Sequence, residues 1–538
     1  MMYRIKAATA FLVVILLLSC KNKNKEPGIE ELNDVDEIAE LTSAAQIESA
    51  LENSESSAFS DYAKVQAFYE TRKFQPLWNK REFREDLYRS IENIEEEGLF
   101  PEDYNEPVLK KYLSQLNEEA SEENTFLELL LTDAFFKLTS HLNSGKLNPE
   151  EIYEIWGTTK NTLNTEDLLS WALSEDDIQA AIDSVKPTHP VYLGLKKSLS
   201  EYRKSGFENE APIARIEKGK TLKPGEKDSR ITTIAKRLTE LGYLKNYSDS
   251  TYNDTLETAV RDFQKDFGIQ VDGILGESTI ENLNKTRKDR YHQILVNLER
   301  WRWYPKNLGE HYIIVNIPDF QLNIIKDKDT IKTHRTMVGT EARKTPVFSD
   351  QVSYIVYNPT WTVPPTIKEK DVIPAASKDI SYLEKKNIQV YDPNGNSIEP
   401  GKIDWAKAKT YTYTQQAGVS NPLGRVKIIY PNEYLIYLHD TPSRDLFDEN
   451  ARARSSGCVR VQDALDLAAY LLDDQKKYDS AKIEEILASG KTTQIKLTKD
   501  VKVHHLYWTA YRKGNTTQFI DDVYRQDDKI WQLLKPGF

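Results

Sequence analysis

Hydrophobic positions along this chain change period several times, and each change marks a boundary. Residues 7–18 form an unbroken run of apolar and small residues preceded by Arg4 and Lys6. As a helix that run rises only about 18 Å, short of the roughly 30 Å hydrocarbon core. It therefore reads as the core of a secretory signal, residues 1–20, and not as a spanning helix. Residues 21–58 are rich in Lys, Asn, Glu and Ser, with helical patterning confined to residues 38–51, which predicts a flexible tether carrying one short helix. From 59 to 205 the period is helical throughout. In F-L-E-L-L-L-T-D-A-F-F-K-L, residues 126–138, apolar side chains cover most of the helix surface, the pattern of a helix buried inside an all-α domain. Pro76, Gly98, Pro101, Gly145 and Pro149 punctuate that domain into separate helices.

Gly206, Pro212, Gly219, Pro224 and Gly225 mark a linker, and a compact module follows at 222–288. Ile231, Ile234, Leu238 and Leu241 recur at helical spacing and stop at Gly242; Leu256, Ala259, Val260, Phe263 and Phe267 repeat the device and stop at Gly268. A turn at Asp272-Gly273 then leads to a third helix with Ser278 as its expected cap. From about 290 to 500 the period shortens to that of strands, in Y-I-I-V-N-I, F-Q-L-N-I-I, Y-L-I-Y-L and T-T-Q-I-K-L-T. This predicts a mainly-β domain, interrupted at about 366–415 by a helical insertion placed to cap a cleft. Residues 501–538 are expected as an extension packed on the β or the helical domain.

A chain of 538 residues needs several cores. Its 39% hydrophobic and 29% charged residues, with a mean hydropathy of -0.61, are those of a water-soluble globular protein beyond the first twenty positions. A net charge of -12 without a basic run excludes a nucleic-acid partner.

The chain has two cysteines, in unlike settings. Leu17-Leu18-Ser19-Cys20 resembles the bacterial lipobox, which implies acylation of Cys20 and a mature protein held on the periplasmic side of a membrane by lipid. The remainder is then extracytoplasmic. A single free thiol kept in an oxidising compartment suggests use. That thiol is Cys458, in S-S-G-C-V-R-V, nineteen residues after His439 in Y-L-H-D-T-P-S. A cysteine attacks as thiolate, so it needs a base, and His439 at a strand end is the candidate among eight histidines. An amphipathic helix soon after Cys458 is expected to lower the thiol pKa through its dipole, and the N–H groups of Gly457 and Cys458 to form an oxyanion hole. Asp440 neighbours His439 on a strand and should face the other way, which leaves the orienting of the imidazole to a backbone carbonyl or another side chain.

Three blocks, L-x-x-L-G-Y-L, A-V-x-x-F-Q-K-x-x-G and V-D-G-x-x-G-x-x-T, resemble the peptidoglycan-binding domain of cell-wall enzymes. H-D-T-P-S with S-S-G-C-V-R, together with T-P-V-F from Thr345, N-P-T-W-T-V-P-P from Asn358 and N-P-L-G-R-V-K from Asn421, resembles the large periplasmic L,D-transpeptidases. F-Y-E-T-R-K-F-Q-P-L-W from Phe68 looks like the opening of their scaffold domain. The resemblance implies a multidomain fold: an all-α scaffold, a three-helix peptidoglycan-binding domain, and a mainly-β catalytic domain with a helical capping insertion. It implies that Cys458, deprotonated by His439, takes the acyl group of a donor tetrapeptide stem as a thioester, releases D-alanine, and passes the acyl group to a neighbouring stem as a 3→3 cross-link, with no metal or organic cofactor. Resolution of the thioester by water, as in an L,D-carboxypeptidase, is the alternative; a non-catalytic wall-binding lipoprotein would be expected to lack Cys458 or His439. Trp361, Tyr437, Ser456 and Arg460 are candidates to bind substrate. For Trp361 and Tyr437 core packing is the competing role, and for Arg460 support of the loop.

Overall fold

The computed structural model describes residues 41–53, 58–116, 120–207, 212–247, 249–449, 451–472 and 477–536. The expected signal, Cys20 and most of the expected tether lie outside them.

Seven helices between Ala44–Asn53 and Ile178–Ser184 share one apolar core. At its centre lies Glu122–Ser144, buried on nearly every side and capped by Ser121, whose side chain accepts from Asn124 N at 3.1 Å. Helix Ala44–Asn53, expected on a free tether, instead packs Ile47 and Leu51 into this core. The boundary at 205 also shifts. Helix Pro190–Lys204 gives Tyr192, Leu195 and Leu199 to the core of the β domain.

The module at 222–288 has the three expected helices, Ile231–Glu240, Asp254–Asp266 and Glu277–Leu283, over a core built from the two stripes read in the sequence. Its third helix is capped differently. Gly276 holds the N-cap position, and the Ser278 hydroxyl donates instead to Asp521 Oδ2 at 2.7 Å, docking the module on the C-terminal segment.

Residues 287–303, taken as the threshold of the strand region, form a helix, Arg287–Trp303, with a capping box between Thr286 and Asp289. Its buried positions include Arg290, Gln293, Asn297, Glu299, Arg300 and Arg302. Arg302 and Glu299 are fully buried and paired at 2.9 Å; Glu299 Oε1 also accepts from Leu147 N (2.8 Å) and Trp303 Nε1 (3.1 Å). Arg300 reaches Asp527 at 2.5 Å and Tyr153 Oη at 3.0 Å. Gln293 and Asn297 bind Thr509. One helix thus joins the helical domain, the β domain and the C-terminal segment.

The β domain is a twelve-stranded mixed sheet. In spatial order its strands are Trp156–Gly157, Val347–Gln351, Lys502–Leu506, His311–Asn316, Gln321–Lys326, Asp329–Gly339, Val459–Val461, Leu438–His439, Val426–Ile429, Tyr354–Tyr357 and Thr493–Lys496, with Ala453–Ser455 beside Asp329–Gly339. The boundary at 500 does not hold, because Lys502–Leu506 lies inside the sheet between His311–Asn316 and Val347–Gln351. Nor is Y-L-I-Y-L a strand throughout. Pairing begins at Leu438, since Leu435 has a φ of 57° and stands 62% exposed.

The insertion is mixed where helices were expected. Short helical turns between Pro365–Ile367 and Ser381–Lys385 pack on a sheet ordered Trp361–Thr362, Thr412–Gln415, Ile388–Tyr391 and Ser397–Ile398. Val363, Val372, Leu383, Val390 and Tyr413 form its separate core.

Breaking a buried ion pair leaves one charge uncompensated, at a cost of about 3–5 kcal/mol. Glu299→Ala should destabilise the protein by about that amount in urea unfolding, and Glu299→Leu/Arg302→Leu together should recover a large part of the loss.

Candidate active site

Cross-strand register assembles the site. Leu438 pairs with Val459 and His439 with Arg460 in parallel, Lys427 pairs with His439, and Arg460 with Met337. Residues level across strands share a face, and those two apart along a strand share it too. Lys427, His439 and Arg460 therefore stand in a row on one face, with Tyr437 and Cys458 beside them one pleat back. Ile355, Ile428, Leu438 and Val459 occupy the other face, in the core. Alternation alone thus sorts five polar groups to one side and the aliphatic ones to the other.

His439 Nδ1 lies 2.6 Å from the backbone carbonyl of Asp440. A carbonyl only accepts, so Nδ1 carries the hydrogen and a neutral imidazole keeps Nε2 as a proton acceptor. The Asp440 side chain does face away, as expected, and its Oδ2 accepts from Arg425 N at 2.9 Å. This contact explains the glycine of N-P-L-G-R. Gly424 has a φ of 59°, and a Cβ there would sit 2.4 Å from Asp440 Oδ2. Asn421 of the same motif donates to Pro359 O (3.1 Å) and Gln416 O (3.0 Å), tying it to the N-P-T-W segment.

Cys458 is half-buried, and its thiol donates to Leu435 O at 3.5 Å. Its turn is closed by Ser455, whose hydroxyl donates to Cys458 O (2.6 Å) and accepts from Gly457 N (3.1 Å). Gly457 has a φ of 119°, a left-handed conformation that suits glycine. From the other side Thr345 Oγ1 donates to Gly457 O at 2.6 Å and accepts from Gly339 N at 2.9 Å. Tyr524 braces Thr345, accepting from its N–H (3.1 Å) and donating to Gly339 O (2.8 Å). T-P-V-F is thereby a buttress of the nucleophile turn, and Tyr524, remote in sequence, is a support the motifs did not reveal.

Two electrostatic expectations change. A helix does not follow Cys458 directly: strand Val459–Val461 intervenes and the helix starts at Ala464, too far for a field confined to the first turn. Burial instead pushes the thiol up to about 11, against the opposing pull of Tyr437, Arg460 and Lys427. His439 is driven down to about 3, first by burial and then by Arg460, with Lys427 adding to it and the Asp440 carbonyl resisting. At rest the pair is a neutral thiol beside a neutral imidazole. The oxyanion expectation also narrows, because the Gly457 N–H is engaged by Ser455 Oγ. Among the described residues the Cys458 N–H meets no such acceptor, and the Tyr437 hydroxyl, on the same face and close to both Cys458 and Trp361, is a second group able to donate there.

The four candidate substrate groups are placed differently from one another. Tyr437 packs edge-on against His439, ring centroids 5.6 Å apart, so it belongs to the reacting face. Trp361 reaches it from the insertion. Arg460 flanks His439. Ser456 is exposed, and its Oγ accepts from Arg343 Nη1 at 3.0 Å, while Arg343 also pairs with Asp371 of the insertion at 2.8 and 3.1 Å. Lys427 and Arg343 were not singled out in the sequence; Arg343 depends on partners far along the chain, and Lys427 reaches the face through cross-strand register.

Comparison with known proteins identifies three domains along the chain. Residues 310–491 match the L,D-transpeptidase catalytic domain, 227–283 the domain described as "Putative peptidoglycan binding domain", and 63–199 the scaffold domain. A relative described as "Putative L,D-transpeptidase", from Haemophilus influenzae, is 36% identical over 252 residues. That alignment takes in 45% of this chain and 51% of the relative, about half its length. Solved L,D-transpeptidase structures from Xylanimonas cellulosilytica (14% identity, 55% of this chain and 100% of the other, TM-score 0.17) and Stackebrandtia nassauensis (12%, 55% and 97%, TM-score 0.21) superpose too poorly to bear on the fold.

A thiol held at about 11 is ionised to about one part in a thousand at pH 8. Alkylation of Cys458 by iodoacetamide, mapped by mass spectrometry, should accelerate about tenfold per pH unit from 7 to 10. A resting imidazolium–thiolate pair would give a plateau there instead.

Proposed function

We propose that the L,D-transpeptidase catalytic domain of this chain cross-links peptidoglycan stems by acyl transfer through Cys458. The observation that carries the reading is the array of Cys458, Tyr437 and His439 on one face, with Nδ1 of His439 committed to the Asp440 carbonyl.

Because thiol and imidazole are both neutral, proton transfer and attack are coupled. His439 Nε2 takes the thiol proton as Cys458 Sγ bonds to the carbonyl carbon before the terminal D-alanine of a tetrapeptide stem. The negative charge on the carbonyl oxygen faces the Cys458 N–H and the Tyr437 hydroxyl. The carbon–nitrogen bond then breaks, the imidazolium returns its proton to the leaving amine, and D-alanine departs from a thioester. The side-chain amine of diaminopimelate on a second stem attacks the thioester carbon and His439 takes its proton; the carbon–sulfur bond then breaks, and the imidazolium returns the proton to Cys458 Sγ, restoring the thiol and neutral imidazole and leaving a 3→3 link. Hydrolysis of the same thioester is the competing outcome, decided by access of amine against water.

Three further proposals complete the reading. The module at 222–288 holds polymer near the site, raising the local concentration of stems. Lipid on Cys20 anchors the chain on the periplasmic side of a membrane. The insertion caps the cleft, a role supported by Trp361 against Tyr437 and by Asp371 held to the nucleophile turn through Arg343.

Protein lacking residues 1–20, incubated with disaccharide-tetrapeptides, should yield a dimer less one D-alanine by mass spectrometry, and Cys458→Ala should yield none. Tripeptide as the sole product would replace transfer by hydrolysis; an active Cys458→Ala protein would end the mechanism. If the insertion caps the cleft, Asp371→Asn should raise the share of tripeptide several-fold over dimer while total D-alanine release changes less.

A further inference from the structure

Among the described residues, the face that holds Cys458 and His439 carries two cations in register with the imidazole, Lys427 and Arg460, and no anion level with them. Lys427 and Arg460 flank His439 in register on either side, both only partly accessible. Among the described residues neither makes an ion pair. Arg460 Nη1 has only Met337 Sδ, at 4.0 Å, and its Nε is buried without an acceptor. Lys427 Nζ lies over the Tyr437 ring, 5.6 Å from the centroid, a contact weaker than a carboxylate would give. The acid nearest in sequence, Asp440, turns its carboxylate away toward Arg425 N and Arg444. Cys458 and His439 are neutral at rest and offset neither charge.

Half-buried cations lose hydration, and folded chains normally offset that loss with a paired carboxylate. Here, among the described residues, the fold supplies none. We infer that Lys427 and Arg460 form a carboxylate-binding site for the acyl donor, which selects a peptide ending in a free α-carboxylate one residue beyond the attacked carbonyl. The inference rests on the transfer reading and adds the groups that choose the donor. Geometry favours the leaving residue as the source of the carboxylate: both cations lie within one strand spacing of the imidazole that must protonate its amine. Charge-assisted bonds there would hold that amine against Nε2. A peptide lacking the carboxylate would leave both cations unpaired again and be rejected for the reason that a hydrogen-bonding site rejects an analogue without the group.

The two cations could instead serve the carbonyl oxygen as it becomes negative, and donor chemistry separates the two roles. Full-length protein is given disaccharide-tetrapeptide with either a free C-terminal carboxylate or a C-terminal carboxamide, and release of D-alanine or its amide is followed. Wild type should favour the acid at least tenfold in kcat/KM. Lys427→Met and Arg460→Met should each shrink that ratio severalfold, chiefly through slower reaction of the acid, and Lys427→Arg should keep it. Equal loss on acid and amide, with the ratio intact, would overturn the site in favour of oxyanion stabilisation or simple structural support. Protection of Cys458 from iodoacetamide by each peptide reads the same discrimination without turnover. Protection by the acid alone in a protein that transfers nothing would keep the carboxylate site and sink the transfer reading, whereas equal protection by both peptides would sink the site.

Discussion

The rest of the molecule is organised around helix Arg287–Trp303 and the ion pairs buried along it. Desolvating a guanidinium and a carboxylate is costly, and their attraction offsets that cost only when geometry and the remaining hydrogen bonds are nearly complete. Glu299 draws on Leu147 N and Trp303 Nε1 beside Arg302, and Arg300 on Tyr153 and Asp527, while among the described residues Arg302 Nε and Arg300 Nη2 stay buried without an acceptor. Leu147 and Tyr153 come from one segment of the chain and Asp527 from the C-terminal segment, whereas Trp303 lies on the helix itself. The network therefore depends on the 147–153 segment and the C-terminal segment being in place against the helix, so it specifies their arrangement more than it adds stability. The same C-terminal segment carries Tyr524 to the nucleophile turn, which links this arrangement to the position of Cys458.

What could be read from the sequence follows from which signals are local. The stripes of Ile231, Ile234 and Leu238 and of Leu256, Val260 and Phe263 are local, and the module they predict has the expected three helices. Helix Arg287–Trp303 escaped because its buried sides carry arginine, glutamate, asparagine and glutamine, so its hydrophobicity has no period to detect. Strand Lys502–Leu506 escaped for a related reason: His504 and His505 are buried side by side, and K-V-H-H-L resembles an exposed segment. Y-L-I-Y-L misled in the opposite sense, alternating like a strand through a turn where Leu435 presents its side chain to solvent and its carbonyl to the thiol.

At the site, the motifs that carry Cys458 and His439 were legible, and the electrostatics of the two residues were not. Whether a thiol is raised or lowered depends on how much protein surrounds it and on which charges stand level with it across strands. Neither is a property of the residues adjacent in sequence. Motif residues such as Gly424, Asn421 and Thr345 prove to be supports whose side chains or close approaches hold Asp440 and the turn at Gly457. The groups that give the face its positive charge and tie it to the insertion, Lys427 and Arg343, act through partners that only folding assembles.

The raised thiol pKa has a further consequence if the chain works outside the cytoplasm, as its N-terminus proposes. Oxidation of cysteine proceeds through the thiolate, so susceptibility follows thiolate character and exposure. A nucleophile activated in advance by a permanent imidazolium would be oxidised as readily as it would attack substrate. Cys458 is kept protonated by burial, and in the proposed mechanism it would ionise only as His439 accepts its proton. Lys427 and Arg460 pull the thiol down but do not overcome burial, and they also keep the imidazole neutral. The two cations thus oppose a charged imidazole at rest while remaining available to an anionic donor. On the proposed mechanism reactivity would thereby be conditional on substrate, which would let the Cys458 thiol persist in an oxidising compartment.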